Sequence, residues 1–242
     1  SYYDGTLRVV DPDGKEAAKF SGRNYLDFIE EQIFPWSYTK FPYLKRIGWK
    51  GRVDGVDSGA YKVGPLARIN ASNGFSTQLA NEAYERMIEF LDKPIHTSLA
   101  YHWARLIEVL HMAELMTEIS RDESITSNDI LNLSGVKQNI GIGVVEAPRG
   151  TLIHHYETDE NMITKQVNIV VPTTMNNTSI NIEIKRAAQN LIKNSEVPKE
   201  VVNRIEMAFR AYDPCIACSV HSLTGGSPVS YTHLTLPTNR EV

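Results

Sequence analysis

The sequence predicts an α+β fold, mainly α: a long-helix bundle with small appended β-sheets. Three observations point there. Two stretches repeat apolar residues at steps of three and four over several helical turns, short strand-like stretches lie between turn residues, and the composition is that of a folded globular chain. The 242 residues are 42% apolar and 22% charged, with 15 Gly and 11 Pro, which excludes a disordered or collagen-like chain. A net charge of −4 argues against a general phosphate-backbone binder, which needs a clustered cationic surface, so nucleic acid is not an expected partner. No run approaches the roughly 18 to 20 apolar residues that span a bilayer, and no basic stretch leads into an apolar one at the start.

Taken in order, Thr6–Val10 and Ala17–Phe20 flank Asp11-Pro12-Asp13-Gly14, whose Pro and Gly suit a tight turn, so a β-hairpin is expected. Asn24 is expected to cap a short amphipathic helix reaching Ile33, stopped by Pro35. Trp36 to Ile69 shows no lasting period and reads as irregular structure packed on something larger. A helix from Ser76 to Leu91 carries Leu79, Ala83, Met87 and Phe90, and Pro94 ends it. The next begins after Thr97, reaches Ile119, and places Leu99, Trp103, Leu106, Leu110 and Ala113 on one stripe expected to face the core. Strands follow at Asn139–Glu146, Leu152–Glu157 and Met162–Val171, with a polar turn at Thr158-Asp159-Glu160-Asn161. Helices return at Ser179–Lys193 and at Lys199–Ala211, the latter led in by Pro198. Residues 1–228 read as a single, incomplete domain. Val229 to Val242 reads as the translation of a sequencing-library adapter and is set apart from the fold.

Only two cysteines occur, within Asp213-Pro214-Cys215-Ile216-Ala217-Cys218-Ser219-Val220-His221. A spacing of three is poor for a structural disulfide and common for thiolates that meet at a metal or form a redox pair. Two soft thiolates and an imidazole at steps of three exclude magnesium and calcium from the sulfur positions. Spacing alone leaves a zinc site, a redox dithiol and a catalytic metal equally open. Gly141 and Gly143 invite a nucleotide-loop reading, but a third glycine and a following helix are missing. His96, His102, His111 and His155 read as ordinary helix or strand histidines.

The D-P-C-x-x-C-x-x-H segment resembles the end of the catalytic large subunit of nickel–iron hydrogenases. Three further segments resemble that family in the same order: Val63-Gly64-Pro65-Leu66-Ala67-Arg68, then Glu146-Ala147-Pro148-Arg149-Gly150-Thr151-Leu152-Ile153-His154, then Val171-Pro172-Thr173-Thr174. Together they span roughly Ser1 to His221. Phe41-Pro42-Tyr43-Leu44 and Ser98-Leu99-Ala100-Tyr101-His102 resemble the cytoplasmic, cofactor-coupled branches, namely the methyl-viologen-reducing and bidirectional enzymes. Met175 stands where many members have Trp.

The resemblance implies a nickel–iron centre whose iron carries carbon monoxide and cyanide. Cys215 would be a terminal nickel thiolate, Cys218 a bridge between the metals, and His221 a ligand to a nearby magnesium or iron. Arg149 would set its guanidinium against a cyanide and the open metal position. Thr173, in the Pro172-Thr173 loop, would donate to the other cyanide, while Asp213 would hold Arg149 and His154 would stand behind the ligands. Dihydrogen would split heterolytically, its proton passing to a terminal thiolate or to Arg149.

The family's N-terminal R-x-C-G-x-x-C motif, which supplies two more nickel thiolates, does not occur here. The chain begins Ser1-Tyr2-Tyr3-Asp4 without Met and is expected to be the C-terminal portion of a longer subunit, inactive alone. With no spare cysteines, electrons would leave through an iron–sulfur small subunit, then to NAD(P), deazaflavin or heterodisulfide reductase subunits. A maturation endopeptidase would cut between His221 and Ser222. Two other readings stay open: a relative without nickel, and a zinc-binding interaction module using Cys215, Cys218 and His221.

Overall fold

The computed structural model describes residues 5–131, 138–193 and 197–220. Strands β1 (Thr6–Val10) and β2 (Glu16–Ser21) form the expected antiparallel hairpin. Its turn is tied by the Asp11 carboxylate, which accepts from the Asp13 and Lys15 amides, the ordinary way an Asp closes a turn on its own backbone.

The helix expected from Asn24 to Ile33 is cut to a single turn, α1 (Tyr25–Phe28), and Asn24 makes no side-chain cap. From Ile29 the chain is extended. Strand β3 (Ile29–Gln32) pairs antiparallel with β4 (Phe41–Leu44), Ile29 opposite Leu44 and Gln32 opposite Phe41. Tertiary pairing overrode the local pattern, because β3 buries Ile29 while β4 buries Phe41 and Tyr43. The segment expected to be irregular thus contains a strand, and at its end the start of helix α2 (Pro65–Ala71), with Pro at its first position.

Helices α3 (Gln78–Leu91) and α4 (Ala100–Ile119) lie where expected, but both stripes are turned. On α3 the buried residues are Ala80, Tyr84 and Met87, while Leu79 and Phe90 are exposed. On α4 the core takes Ala100, Tyr101, Ala104 and Ile107, with Glu108 and His111 buried beside them, while Leu99 and Leu106 are exposed. The physical reason is that α4 is apolar nearly all round, so counting apolar positions cannot select the face that small residues let pack closely.

Strands β5 (Ile140–Ala147), β6 (Gly150–Thr158) and β7 (Thr164–Val170) form an antiparallel meander in that order. Helix α5 (Pro172–Leu191) starts seven residues before the expected Ser179. The supposed Val171–Thr174 loop is therefore the entry and first turn of a helix, with Pro172 at its first position. Pro172 through Ile180 are all buried, an unusual run with six polar side chains. They are tolerated because several bond to other segments: Asn176 to both backbone groups of Val63, Asn177 to Thr39 and the Lys40 carbonyl, Ser179 to the Tyr61 carbonyl. Helix α6 (Lys199–Arg210) packs on α5, and a last turn, α7 (Ile216–Ser219), follows.

One core joins α2, α3 and α4 to Ile180, Ala211 and Tyr212; a second joins the β1–β2 hairpin, α1 and the meander to Val63 and Met175. Met175 is 1% exposed, a flexible gap-filler where the resemblance has a larger ring. Among the described residues no helix is long and apolar enough to cross a membrane. The stretch set apart as an adapter translation lies outside the described residues.

Candidate metal centre

Four segments far apart in sequence meet around the Cys-x-x-Cys loop. Asp213 leaves the end of α6 with a left-handed backbone, φ 50°, a conformation that Asp tolerates better than most residues, and Pro214 then directs the chain into Cys215. Cys215 heads α7 as its N-cap residue. Its amide donates to the Thr173 Oγ1 at 3.0 Å. Because that hydroxyl accepts from the protein, its own proton stays available to a further acceptor. The early start of α5, with Pro172 at its first position, puts Thr173 on the first helical turn against the cysteine loop.

Arg149 sits in the tight connection between β5 and β6. Its Nε donates to the Asp213 carbonyl at 2.6 Å and lies 3.1 Å from the carboxylate Oδ2, and its Nη2 lies 3.5 Å from Oδ1. Nη1 has no partner among the described residues, and the side chain is 41% exposed. The arginine is thus held on one edge and open on the other.

The turn bearing Arg149 presses directly on the start of α2. Gly64 has φ 108°, and a Cβ there would come 2.9 Å from the Arg149 carbonyl oxygen; Gly150 has φ 133°, and a Cβ there would come 2.5 Å from Val63 Cγ2. Both positions require glycine, for conformation and for room. The Tyr101 hydroxyl donates to the Val63 carbonyl at 3.1 Å, so α4 and α5 both brace this crossing.

The cysteine loop is anchored from the other side by Tyr212. Its hydroxyl donates to Glu183 Oε1 at 2.9 Å, and its ring lies 4.8 Å from that of Tyr101. Glu183 also takes Lys62 and Ser98. Burial works against charge on Glu183, but Lys62 outweighs it with help from the Ser98 and Tyr212 hydroxyls, so its carboxyl is held below the ordinary value of 4.5.

Cys215 and Cys218 differ from expectation in one respect: their sulfurs are joined as a disulfide, with Cα atoms 5.3 Å apart. Metal ligation needs both as thiolates, so the bonded pair is the oxidised form of the same two donors. The pairing still bears on fit, since it brings both sulfurs to one place in the loop that Thr173 holds at the Cys215 amide and Arg149 at Asp213, a soft donor pair suited to nickel or zinc. Among the described residues no group of three or more His, Cys, Asp or Glu converges on one point. His221 lies outside the described residues.

Two expected or neglected positions fall elsewhere. His154 bonds the Tyr156 hydroxyl on its own strand at 3.0 Å, and among the described residues no hydrogen bond joins it to the cysteine loop. Gly141 and Gly143 lie within β5, paired with Tyr156 and His154, so they shape no phosphate loop. The residues that sequence reasoning left without a role are Gly64, Arg68, Asn176, Glu183 and Tyr212. Gly64-Pro65 carried the one local signal, a helix start; the others act through long-range contacts that no spacing reveals.

Comparison with known proteins bears on this geometry. The family model described as nickel-dependent hydrogenase matches residues 12–221. The chain is 48% identical over 231 residues to an F420-non-reducing hydrogenase iron-sulfur subunit of Archaeoglobus profundus, covering 95% of this chain and 47% of that protein. It is 38% identical over 226 residues to the NAD-reducing hydrogenase HoxS subunit beta of Cupriavidus necator, covering 92% and 45%. A crystal structure of an NAD+-reducing [NiFe]-hydrogenase in the H2-reduced state superposes with a TM-score of 0.84 at 39% identity, covering 91% of this chain and 48% of that one. The chain spans about half the length of the curated relatives it matches. On the family match and these relatives together, the chain belongs to the nickel-dependent hydrogenase family.

Proposed function

We propose that this chain is the C-terminal portion, residues 1–228, of a hydrogenase catalytic subunit, and that Cys215 and Cys218 are two of the thiolates holding a nickel–iron centre. The observation that carries the reading is the meeting of Thr173, Arg149 and Asp213 on the Cys-x-x-Cys loop. When bound, such a centre, its iron carrying carbon monoxide and cyanide, supplies heterolytic cleavage of dihydrogen and accepts the electron pair. Every other task falls to the protein.

Cys215 and Cys218 present two sulfurs from one short loop, and the Thr173 hydroxyl fixes the first through its amide. Thr173, with its proton free, is suited to donate to a cyanide nitrogen. Arg149 keeps a fixed positive charge at the mouth of the site, and Asp213 sets its orientation by holding Nε and Nη2. Nη1 is then left to face an anionic ligand or the open position and to steady negative charge there, and Cys215 Sγ is the atom of this chain that would hold the released proton. His221 would hold magnesium or iron, and a maturation endopeptidase would cut after it. The partner is an iron–sulfur small subunit, with further subunits passing electrons to NAD(P), deazaflavin or a heterodisulfide reductase. The likeness to relatives named NAD-reducing and F420-non-reducing supports a cytoplasmic, cofactor-coupled complex.

The test uses the full-length subunit matured with its partners. Nickel content, infrared bands of carbon monoxide and cyanide, and hydrogen-dependent dye reduction are all expected in the wild type. Cys215→Ser is expected to lose nickel. Arg149→Lys should keep nickel and the infrared bands while hydrogen oxidation falls about a hundredfold, the usual scale for losing one charge-stabilising donor. Stoichiometric zinc, with neither nickel nor infrared bands, would overturn the proposal in favour of a zinc-binding module.

A further inference from the structure

The structure holds a second arginine whose bonds end on the backbone that carries the first. Arg68 is the last residue of the Val63-Gly64-Pro65-Leu66-Ala67-Arg68 segment and lies on α2. Its Nε and Nη2 form a two-pronged pair with Glu108 of α4, at 2.6 and 2.7 Å. Its Nη1 donates to Glu146 Oε2 at 2.7 Å and to the Ala147 carbonyl at 3.0 Å, and Nη2 also donates to the Pro148 carbonyl at 3.2 Å. A guanidinium has five N–H donors, and all five are used. Glu146 is itself held by the Thr151 hydroxyl across the turn.

The two carbonyls that Arg68 takes belong to the residues immediately before Arg149. The carbonyl of Arg149 is in turn packed against Gly64, four residues before Arg68. Helix α2 thus grips the Arg149 backbone from both sides, by guanidinium bonds before it and by close backbone packing after it. We propose that Arg68 is a positioning residue for Arg149: it sets the path of the Ala147–Gly150 turn so that the Arg149 guanidinium reaches Asp213 with one edge and keeps Nη1 open.

A lysine at position 68 keeps the charge but loses the fork. One ammonium cannot bridge Glu108 and Glu146 while also reaching two successive carbonyls. Arg68→Lys separates the role of charge from that of geometry. Glu108→Gln is the second variant, because it breaks one prong at the far end of the fork without touching the turn.

The proposal rests on the hydrogenase reading only for its catalytic consequence, so the test has two independent readouts. The first needs no metal. Arg149, with its open edge, reacts with phenylglyoxal, and the rate of its modification is read by peptide mass spectrometry on the folded full-length subunit. Arg68→Lys and Glu108→Gln are both expected to raise that rate by about threefold or more while leaving the circular dichroism unchanged. The second readout is the cyanide stretching band of the matured enzyme. Arg68→Lys should shift it in the direction that Arg149→Lys does, by less, and should add nothing in the double variant.

An unchanged labelling rate in both variants would overturn the proposal. So would a band shift in Arg68→Lys that adds to that of Arg149→Lys, since it would show an action that bypasses Arg149. A wild type without cyanide bands would overturn the hydrogenase reading instead, and the labelling result would still decide the positioning role.

Discussion

The two arginines that meet at the β5–β6 turn, one within it and one bonded to it from α2, are chemically identical and placed to opposite ends. Arg68 is 16% exposed, meets two carboxylates and two carbonyls, and has no donor to spare. Arg149 is 41% exposed, is held along one edge by a single residue, and keeps Nη1 open. Saturation marks a structural arginine; a guanidinium steadied on one edge and open on the other still has donors to give, which is what the proposed role of Arg149 requires. The same division appears in charge. Burial disfavours the Arg68 cation, yet Glu108 and then Glu146 more than offset it and hold Arg68 charged across the whole accessible pH range.

The largest expected effect sharpens that contrast. Arg68→Met leaves Glu108 and Glu146 facing each other without a cation, and unpairing a buried ion pair costs about 3–5 kcal/mol. Arg149→Met removes a half-exposed pair and should cost no more than about 1 kcal/mol. Urea unfolding of the two variants measures the difference. Equal losses would break the comparison, since they would make Arg149 as structural as Arg68.

The glycines at the crossing come next. Gly150→Ala forces a side chain into a left-handed position and pushes its Cβ onto Val63 and the Gly64 amide, so a loss of about 3 kcal/mol is expected from backbone strain alone. Gly141 lies on β5 with nothing within 4 Å of a Cβ. Gly141→Ala should therefore be neutral or gain about 0.5 kcal/mol, because a strand glycine forgoes side-chain restriction. The pair of midpoints reports whether Gly150 is required by the crossing or is as replaceable as a strand glycine.

How much of this was legible in the sequence follows from the range of the forces involved. The first hairpin, the meander and the helices α3, α4 and α6 were readable because turn residues and apolar spacing are local. The Asn24–Ile33 helix failed where β4, further along the chain, claimed the backbone of Ile29–Gln32. The α4 stripe meets the core only through Trp103 and Leu110 because both sides of that helix are apolar, and the packed side is chosen by small residues such as Ala100 and Ala104. At the site, Cys215, Arg149, Asp213 and Thr173 were reached through the family resemblance; the structure sets Arg149 on Asp213 and Thr173 on the Cys215 amide, contacts that no spacing rule supplies. Arg68 stood in plain view inside a quoted motif, but its role depends on Glu108 and Glu146, 40 and 78 residues away, and no spacing rule reaches that far.

The smallest expected effect concerns the opposite anchor of the cysteine loop. Glu183 gathers Lys62, Ser98 and the Tyr212 hydroxyl, and Tyr212 lies next to Asp213, which holds Arg149. Its carboxyl is held below 4.5 mainly by Lys62, against the cost of burial. A carboxyl whose folded value lies below its unfolded one stabilises the fold fully above the unfolded value, and that contribution is lost as pH falls through the folded value. Acid should therefore loosen the Tyr212–Asp213 anchor below about pH 4.5, where protonation first begins to be favoured by unfolding. Glu183→Gln removes this contribution, costing about 1.5 kcal/mol at neutral pH as a charged hydrogen-bond acceptor is lost. The variant and wild-type melting temperatures should converge as the pH is lowered toward about 3. If the gap between them stayed constant across that range, the loop would be anchored by the packing of Tyr212 on Tyr101 alone, and the restraint on Asp213, and through it on Arg149, would owe nothing to the Glu183 charge.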